Sequence, residues 1–218
     1  MSSHDNILAR IRARQGKPAS VSETEREAVR AGIAAHAVHA RPRMEWEPVA
    51  RFRERALGLA STVEDVGGLA DVPAAVARYL AARSLPRQAV IWPEFERLDW
   101  RAAGIGVEAR AARDSDLVGI TGAFCAIAET GTLMTVSGRD TPATISLLPE
   151  THIAVLGKSR IVRGMEEAWQ LARVELGQLP RAVSFISGPS RTADIEQTVT
   201  LGAHGPYRVH IILAGSTG

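Results

Sequence analysis

Three short stretches of this chain carry residue types and spacings suited to chemistry on a small anion. The longest is Ser187-Gly188-Pro189-Ser190-Arg191-Thr192-Ala193-Asp194-Ile195-Glu196. Its flanks predict a strand before it and a helix after it. Backbone N–H groups and the positive end of the helix dipole would then form an anion pocket, enlarged by the Arg191 guanidinium and the hydroxyls of Ser187, Ser190 and Thr192. Ser187, Gly188, Ser190, Arg191 and Thr192 are therefore candidate binders of a carboxylate or phosphate. The alternative is a tight turn in which a hydroxyl caps the helix and Asp194 answers its first turn, with no ligand needed.

The second stretch is Ala128-Glu129-Thr130-Gly131-Thr132. A carboxylate just ahead of a glycine turn can serve as nucleophile or general base, and Thr130, Gly131 and Thr132 are small enough to leave room for a substrate. It can equally be a hairpin turn whose Glu129 is solvated. In the third, Gly202-Ala203-His204-Gly205-Pro206, His204 can act as acid, base or hydrogen-bond donor, or can be a structural loop histidine. With one short helix between them, this loop and the 187–196 stretch are expected at opposite ends of a sheet. Arg139, in the turn Ser137-Gly138-Arg139-Asp140, can hold a substrate carboxylate or pair with Asp140 or Glu129. Glu129 and His204 are thus the catalytic candidates, and Thr130, Gly131, Thr132 and Arg139 join the anion-binding set.

The elements that must position these residues follow from apolar periodicity and from chain breakers. Residues 1–60 read as helical. One helix, with Ile7, Leu8 and Ile11 on a single stripe, runs to residue 14; a second runs from Ser22 to residue 40, where Arg41-Pro42-Arg43 stops it; a third opens at Pro48 and ends near residue 60. Beyond residue 60 the texture alternates. Strands are predicted at 61–66, 88–92, 107–110, 117–121, 133–137, 152–156, 182–187 and 207–213, and helices at 73–83, 162–176 and 192–201. The closing β-α-β-α-β order predicts a parallel or mixed sheet covered by helices, with ligands at the carboxyl ends of its strands. The expected organisation is a helical N-terminal arm, 1–60, and an α/β domain, 61–218.

Composition narrows the chemistry further. With 218 residues, 45% hydrophobic and 23% charged, the chain is neither disordered nor fibrous. Its single cysteine, Cys125, sits between Phe124 and Ala126-Ile127, so it reads as a small core hydrophobe, and it excludes an internal disulfide or a thiolate-held metal cluster. No metal site is expected. His152, at the start of a buried-looking strand, reads as a core or edge residue. Gly104-Ile105-Gly106-Val107-Glu108-Ala109 matches a dinucleotide fingerprint in letters only, because its glycines lead into a strand and none precedes them. There is no phosphate-binding P-loop, zinc-binding HExxH or GxSxG nucleophile elbow. Residues 1–60 hold 11 basic and 7 acidic groups, against 15 and 17 in the rest. Without aromatic residues interleaved among these arginines, nucleic acid is not an expected partner. No apolar run approaches ~18 residues and nothing near the start reads as a secretory leader, so no membrane span and a cytoplasmic location are expected.

Taken together, Ala128-Glu129-Thr130-Gly131-Thr132, Leu147-Leu148-Pro149 followed by His152-Ile153, the ten residues 187–196 and Gly202-Ala203-His204-Gly205-Pro206 resemble the lactate utilisation protein C family (LutC, also called YkgG), whose domain is known as the LUD domain. The likeness runs from about residue 61 to the end, and Asn6-Ile7-Leu8-Ala9-Arg10-Ile11-Arg12 is similar to the family's first helix. The resemblance implies an α/β fold with a Rossmann-like sheet, like that of the sugar-phosphate isomerase and CoA-transferase group (NagB/RpiA/CoA-transferase-like). It also implies a part in oxidation of L-lactate to pyruvate with two partners, one cysteine-rich and one an iron–sulfur electron-transfer protein. On this reading the chain holds no cofactor, its partners carry the iron–sulfur clusters, and its own ligand is a small anionic substrate. Two other expectations stand beside it: a stand-alone acyl or CoA transferase with Glu129 as nucleophile, and a non-catalytic assembly or regulatory module acting through the basic arm.

Overall fold

The computed structural model of the protein describes residues 3–18, 20–37, 41–192, 200–202 and 204–215. It divides the chain into two units, Met1–Arg43 and Met44–Gly218. The first holds α1 (Ser3–Arg14) and α2 (Glu23–Ala34). Ser22 starts α2 with a capping box: its hydroxyl accepts the Glu25 N–H, and the Glu25 carboxylate accepts the Ser22 N–H, both at 3.2 Å. This helix stops short of residue 40 because His36 takes a left-handed backbone, φ 44°, which a right-handed helix cannot continue through.

The second unit begins ahead of α3 (Pro48–Gly58). The Glu47 carboxylate caps that helix, accepting from Val49 and Ala50 N–H at 2.9 and 2.6 Å, and these bonds hold its carboxyl below the usual value. Phe52 and Ala56 of α3 are fully buried, so the expected boundary at residue 60 falls inside this unit. The chain then runs through β1 (Thr62–Val66), α4 (Val72–Ala82), β2 (Gln88–Ile91), β3 (Gly106–Ala109), β4 (Val118–Gly122), β5 (Cys125–Ile127), β6 (Thr132–Val136), α5 (Thr144–Leu147), β7 (Thr151–Gly157), β8 (Ile161–Val162), α6 (Met165–Leu176), β9 (Val183–Ile186), β10 (Arg191–Thr192), β11 (Thr200–Leu201) and β12 (Arg208–Ala214).

Six of these strands form a parallel sheet in the order β1-β12-β7-β4-β2-β3, the α/β arrangement that the resemblance implies. Its central strands are covered on both faces, which is why Ile153-Ala154-Val155-Leu156 and Ile211-Ile212-Leu213 are unbroken apolar runs. Val72, Val76 and Leu80 of α4 share one core with Ile91, Ile120, Ile153 and Ile212. Phe52 and Ala56 of α3 share another with Ala154, Leu156, Ile211 and Leu213. A second sheet, in the order β8-β5-β6-β9, stands beside it, and α6 packs Ala168 and Ala172 on Cys125, Ile127 and Met134. Cys125 is fully buried, and burial pushes its thiol up to about 11, so it is a packing residue.

Two expectations are corrected here. β9 does not extend the parallel sheet; it pairs antiparallel with β6, from Leu133↔Ile186 to Val136↔Val183, with Phe185 edge-on to Trp169. The helix expected at 192–201 is also absent at both ends, since Arg191–Thr192 and Thr200–Leu201 pair as antiparallel strands. The β-branched residues Thr192 and Thr200 favour extended backbone over helix. Residues 193–199, including Asp194 and Glu196, lie outside the described residues.

Candidate functional site

The turn carrying Glu129 connects β5 to β6. Gly131 occupies it with φ +71°, and a Cβ there would lie 2.6 Å from the Ala56 backbone nitrogen, so the turn is pressed onto the last turns of α3 and admits only glycine. Thr130 Oγ1 donates to Thr132 Oγ1 at 2.8 Å, and Thr132 Oγ1 lies 2.7 Å from Ser187 Oγ. These hydroxyls join the turn to the 187–192 segment. Gly188, φ +80°, packs on Leu59, where a Cβ would sit 2.4 Å from the carbonyl oxygen; the Arg191 guanidinium donates to the same oxygen at 3.1 Å. Glu129 is half-buried in this turn, and its backbone N–H donates to Arg163 O at 2.9 Å.

The loop holding His204 docks here too. Ser190 N–H donates to Pro206 O and Gly202 N–H donates to Ser190 O, both at 2.9 Å. These bonds, with the Arg191–Thr192 and Thr200–Leu201 pairing, bring the 187–192 segment and this loop to one end of the sheet instead of opposite ends. His204 itself is exposed. A hollow of about 320 Å³ opens beside the loop, lined by Glu150, Gly202, Tyr207 and Arg208. The Arg208 guanidinium lies over the Tyr207 ring, 4.9 Å from its centroid, with a nitrogen 3.8 Å from the Glu150 carboxylate. Arg208 was missed in the sequence, although only Tyr207 separates it from Gly202-Ala203-His204-Gly205-Pro206. Arg139 is not brought in: it lies past the far end of β6, whose length at ~3.4 Å per residue separates it from the Glu129 turn.

Leu59 leads into β1, Glu150 into β7 and Pro206 into β12, so this whole cluster occupies the amino edge of the parallel sheet. The carboxyl edge holds something else. The chain leaves β2 toward β3 on one side and leaves β4 for β7 on the other, so β2 and β4 flank a topological switch point, the place where open α/β sheets bind ligands. A cleft of about 430 Å³ opens at this edge, lined by Leu69, Phe95, Val155 and Ala214, with Glu94 and Ser159 supplying polar ends. Gly122 ends β4 and Gly157 ends β7, and Gly215 follows β12, so the floor of the cleft is bare backbone. A Cβ at Gly122 would lie 2.4 Å from Glu94 Oε1; only glycine lets that carboxyl lie over the strand end. Glu94 keeps an exposed face, and partial desolvation of its carboxyl raises it above its usual value. The sequence signal for Glu94 was slight: a carboxylate three residues beyond an apolar strand, after Trp92-Pro93.

Among the described residues no helix is long and apolar enough to cross a membrane, and no group of three or more His, Cys, Asp or Glu is arranged to hold a metal ion.

A family model described as the LUD domain matches residues 72–214. The chain is 40% identical over 121 residues to "Lactate utilization protein C" of Exiguobacterium sp., covering 54% of this chain and 53% of that one. It is 39% identical over 99 residues to "Lactate utilization protein C" of Bacillus subtilis, covering 44% and 41%. The chain thus spans about half the length of the curated relatives it matches, or less. The crystal structure of a DUF162 family protein from Deinococcus radiodurans superimposes with a TM-score of 0.61 at 27% identity, covering 80% of this chain and all of that one.

Proposed function

The chain belongs to the LUD domain family, and from that premise we propose that it is a component of L-lactate utilisation that binds a small carboxylate on the amino edge of its parallel sheet. Relatives named lactate utilization protein C support the pathway. The observation that carries the site is the linked set of hydroxyls and guanidinium at that edge: Thr130, Thr132 and Ser187 in contacts of 2.7 to 2.8 Å, with Arg191 on the adjoining segment. Arg191 follows Ser190, and Arg208 follows Pro206 with Tyr207 between them; Ser190 and Pro206 are joined by a backbone hydrogen bond. Two guanidiniums so placed suit a 2-hydroxy carboxylate, which offers two acceptor oxygens to fork-shaped donors and a hydroxyl to the threonine and serine chain.

Gly131 and Gly188 hold the two segments against the end of α3, Ser190 fixes the second beside the His204 loop, and Thr192 pairs with Thr200. On this reading Glu129 and His204 flank the bound anion. Electron transfer from the substrate falls to iron–sulfur partners, since one buried cysteine cannot ligate a cluster. Deleting the gene in its host is expected to abolish growth on L-lactate and leave growth on pyruvate intact. A wild-type copy restores growth, and a copy carrying Arg191→Ala and Arg208→Ala does not. Normal growth of the deletion strain on L-lactate, with the partner genes intact, would contradict the assignment.

A further inference from the structure

The carboxyl-edge cleft lies at the other end of the strands from the Arg191 surface and has a different chemistry. Its walls are apolar side chains of Leu69, Phe95 and Val155, its floor is glycine backbone, and its volume of about 430 Å³ is that of a small-molecule pocket. Among the described residues that line it there is no Lys, Arg or His. The cations on either side of Ser159 are already engaged, Lys158 with Asp65 at 2.9 Å and Arg160 with Glu175 at 2.6 Å. Gly68 N–H, in the turn leading to α4, donates to Asp71 at 3.1 Å, so that turn also presents a carboxylate instead of open donors. An anion entering here would meet the solvent-exposed Glu94 carboxylate with no compensating cation among the described lining residues, and like charges repel.

We propose that this cleft is a binding site for an uncharged organic molecule whose apolar body packs on Leu69, Phe95 and Val155 and whose amide-like edge pairs with Glu94. A carboxyl can accept an N–H and, when protonated, donate to a carbonyl, the two contacts that a primary amide or lactam offers side by side. Partial desolvation, which raises this carboxyl, widens the range over which it donates. Gly122 keeps the space that the carboxyl occupies, since any larger residue would displace Glu94 and close on the Trp92 ring, 3.3 Å from a Cβ at that position.

Benzamide and benzoate have the same shape and differ in charge and in donors, so they separate this assignment from an anion site. Titrating each into the isotope-labelled full chain and following backbone amides by NMR, benzamide is expected to shift Gly122, Ala123, Gly157, Ser159 and Gly215 and to bind at least about tenfold more tightly than benzoate. In Glu94→Gln, which keeps the side-chain shape without the charge, the two probes are expected to approach one another, with benzoate gaining. Equal binding of the two by the wild type, shifts confined to other regions, or no shift with either would overturn the proposal. So would L-lactate shifting this set of amides.

Discussion

Gly119→Ala is expected to destabilise the chain by about 3 kcal/mol, the upper end of what an added methyl costs in a packed core, because the obstacle is backbone. Gly119 lies in β4 opposite His152 of β7, and a Cβ built on it would fall 2.1 Å from the Ile145 carbonyl oxygen and 3.0 Å from both Ile145 Cγ2 and Pro149 Cγ. Relief requires α5 to lift from the sheet. That short helix is held down by fully buried Ile145 and by Thr144 Oγ1, which accepts the Ala112 N–H at 3.3 Å. For a chain of this size the melting temperature should fall by about 6 to 12 °C. Gly58→Ala, at the end of α3 where a Cβ meets nothing within 4 Å, is the matched control and should be neutral or slightly stabilising. Denaturant unfolding of both variants checks this; a loss below about 0.5 kcal/mol at Gly119 would show that α5 does not clamp β4.

The second large effect is on acid stability, through two buried histidines. His152 is fully buried in β7 with Nε2 2.7 Å from Thr121 Oγ1, and Nδ1 has no hydrogen-bond partner. His210 in β12 stacks on Tyr79 with ring centroids 4.0 Å apart, and its Nδ1 is 2.8 Å from Thr62 Oγ1. Desolvation pushes both from 6.5 down to about 4; at His210 Glu64 opposes this and Arg83 adds to it. Because the folded values are depressed, the unfolded chain binds more protons between pH 6.5 and 4. Stability is therefore full above pH 6.5 and falls as pH drops toward 4. At ~1.4 kcal/mol per pH unit the loss reaches about 3 kcal/mol for each histidine. Urea unfolding at pH 7, 6, 5 and 4.5 should show the slope, and His152→Gln should remove about half of it. Its window lies above that of the carboxyls held low by partners, Glu47, Asp116 and Glu175, which release their contribution only as pH falls below about 4.5. A flat profile down to pH 5 in the wild type would contradict the burial of neutral imidazoles.

Those histidines also mark how far the residues alone lead. A largely buried strand announces itself by composition, so β2, β4, β7 and β12 stand close to where their apolar runs place them, and the role of Cys125 follows from its apolar neighbours. The 187–192 segment was less legible, because a hydroxyl-rich stretch after a strand is compatible with either a capped helix or a ribbon. The outcome there was decided by pairing with Thr200–Leu201, a contact remote from the local pattern. The docking of the His204 loop on Ser190 follows from that change. Glu94 is a different case: its position is set by strand order, with β2 beside β4 and β3 outside it, and no local spacing encodes a topological switch point.

The distribution of charge accounts for two unlike surfaces on one sheet. The amino edge presents Arg191 and Arg208 among threonine and serine hydroxyls; the carboxyl edge presents a lone carboxyl over glycine and apolar side chains. On the proposed reading a small anion is expected to bind at the first and not at the second. Titrating L-lactate into the full chain and following its backbone amides tests this most directly. Binding in the millimolar range or tighter is expected, with shifts at residues 130–132, 187–191 and 202–208 that disappear in the Arg191→Ala, Arg208→Ala double variant. Absence of binding, or shifts that persist unchanged in the double variant, would contradict it.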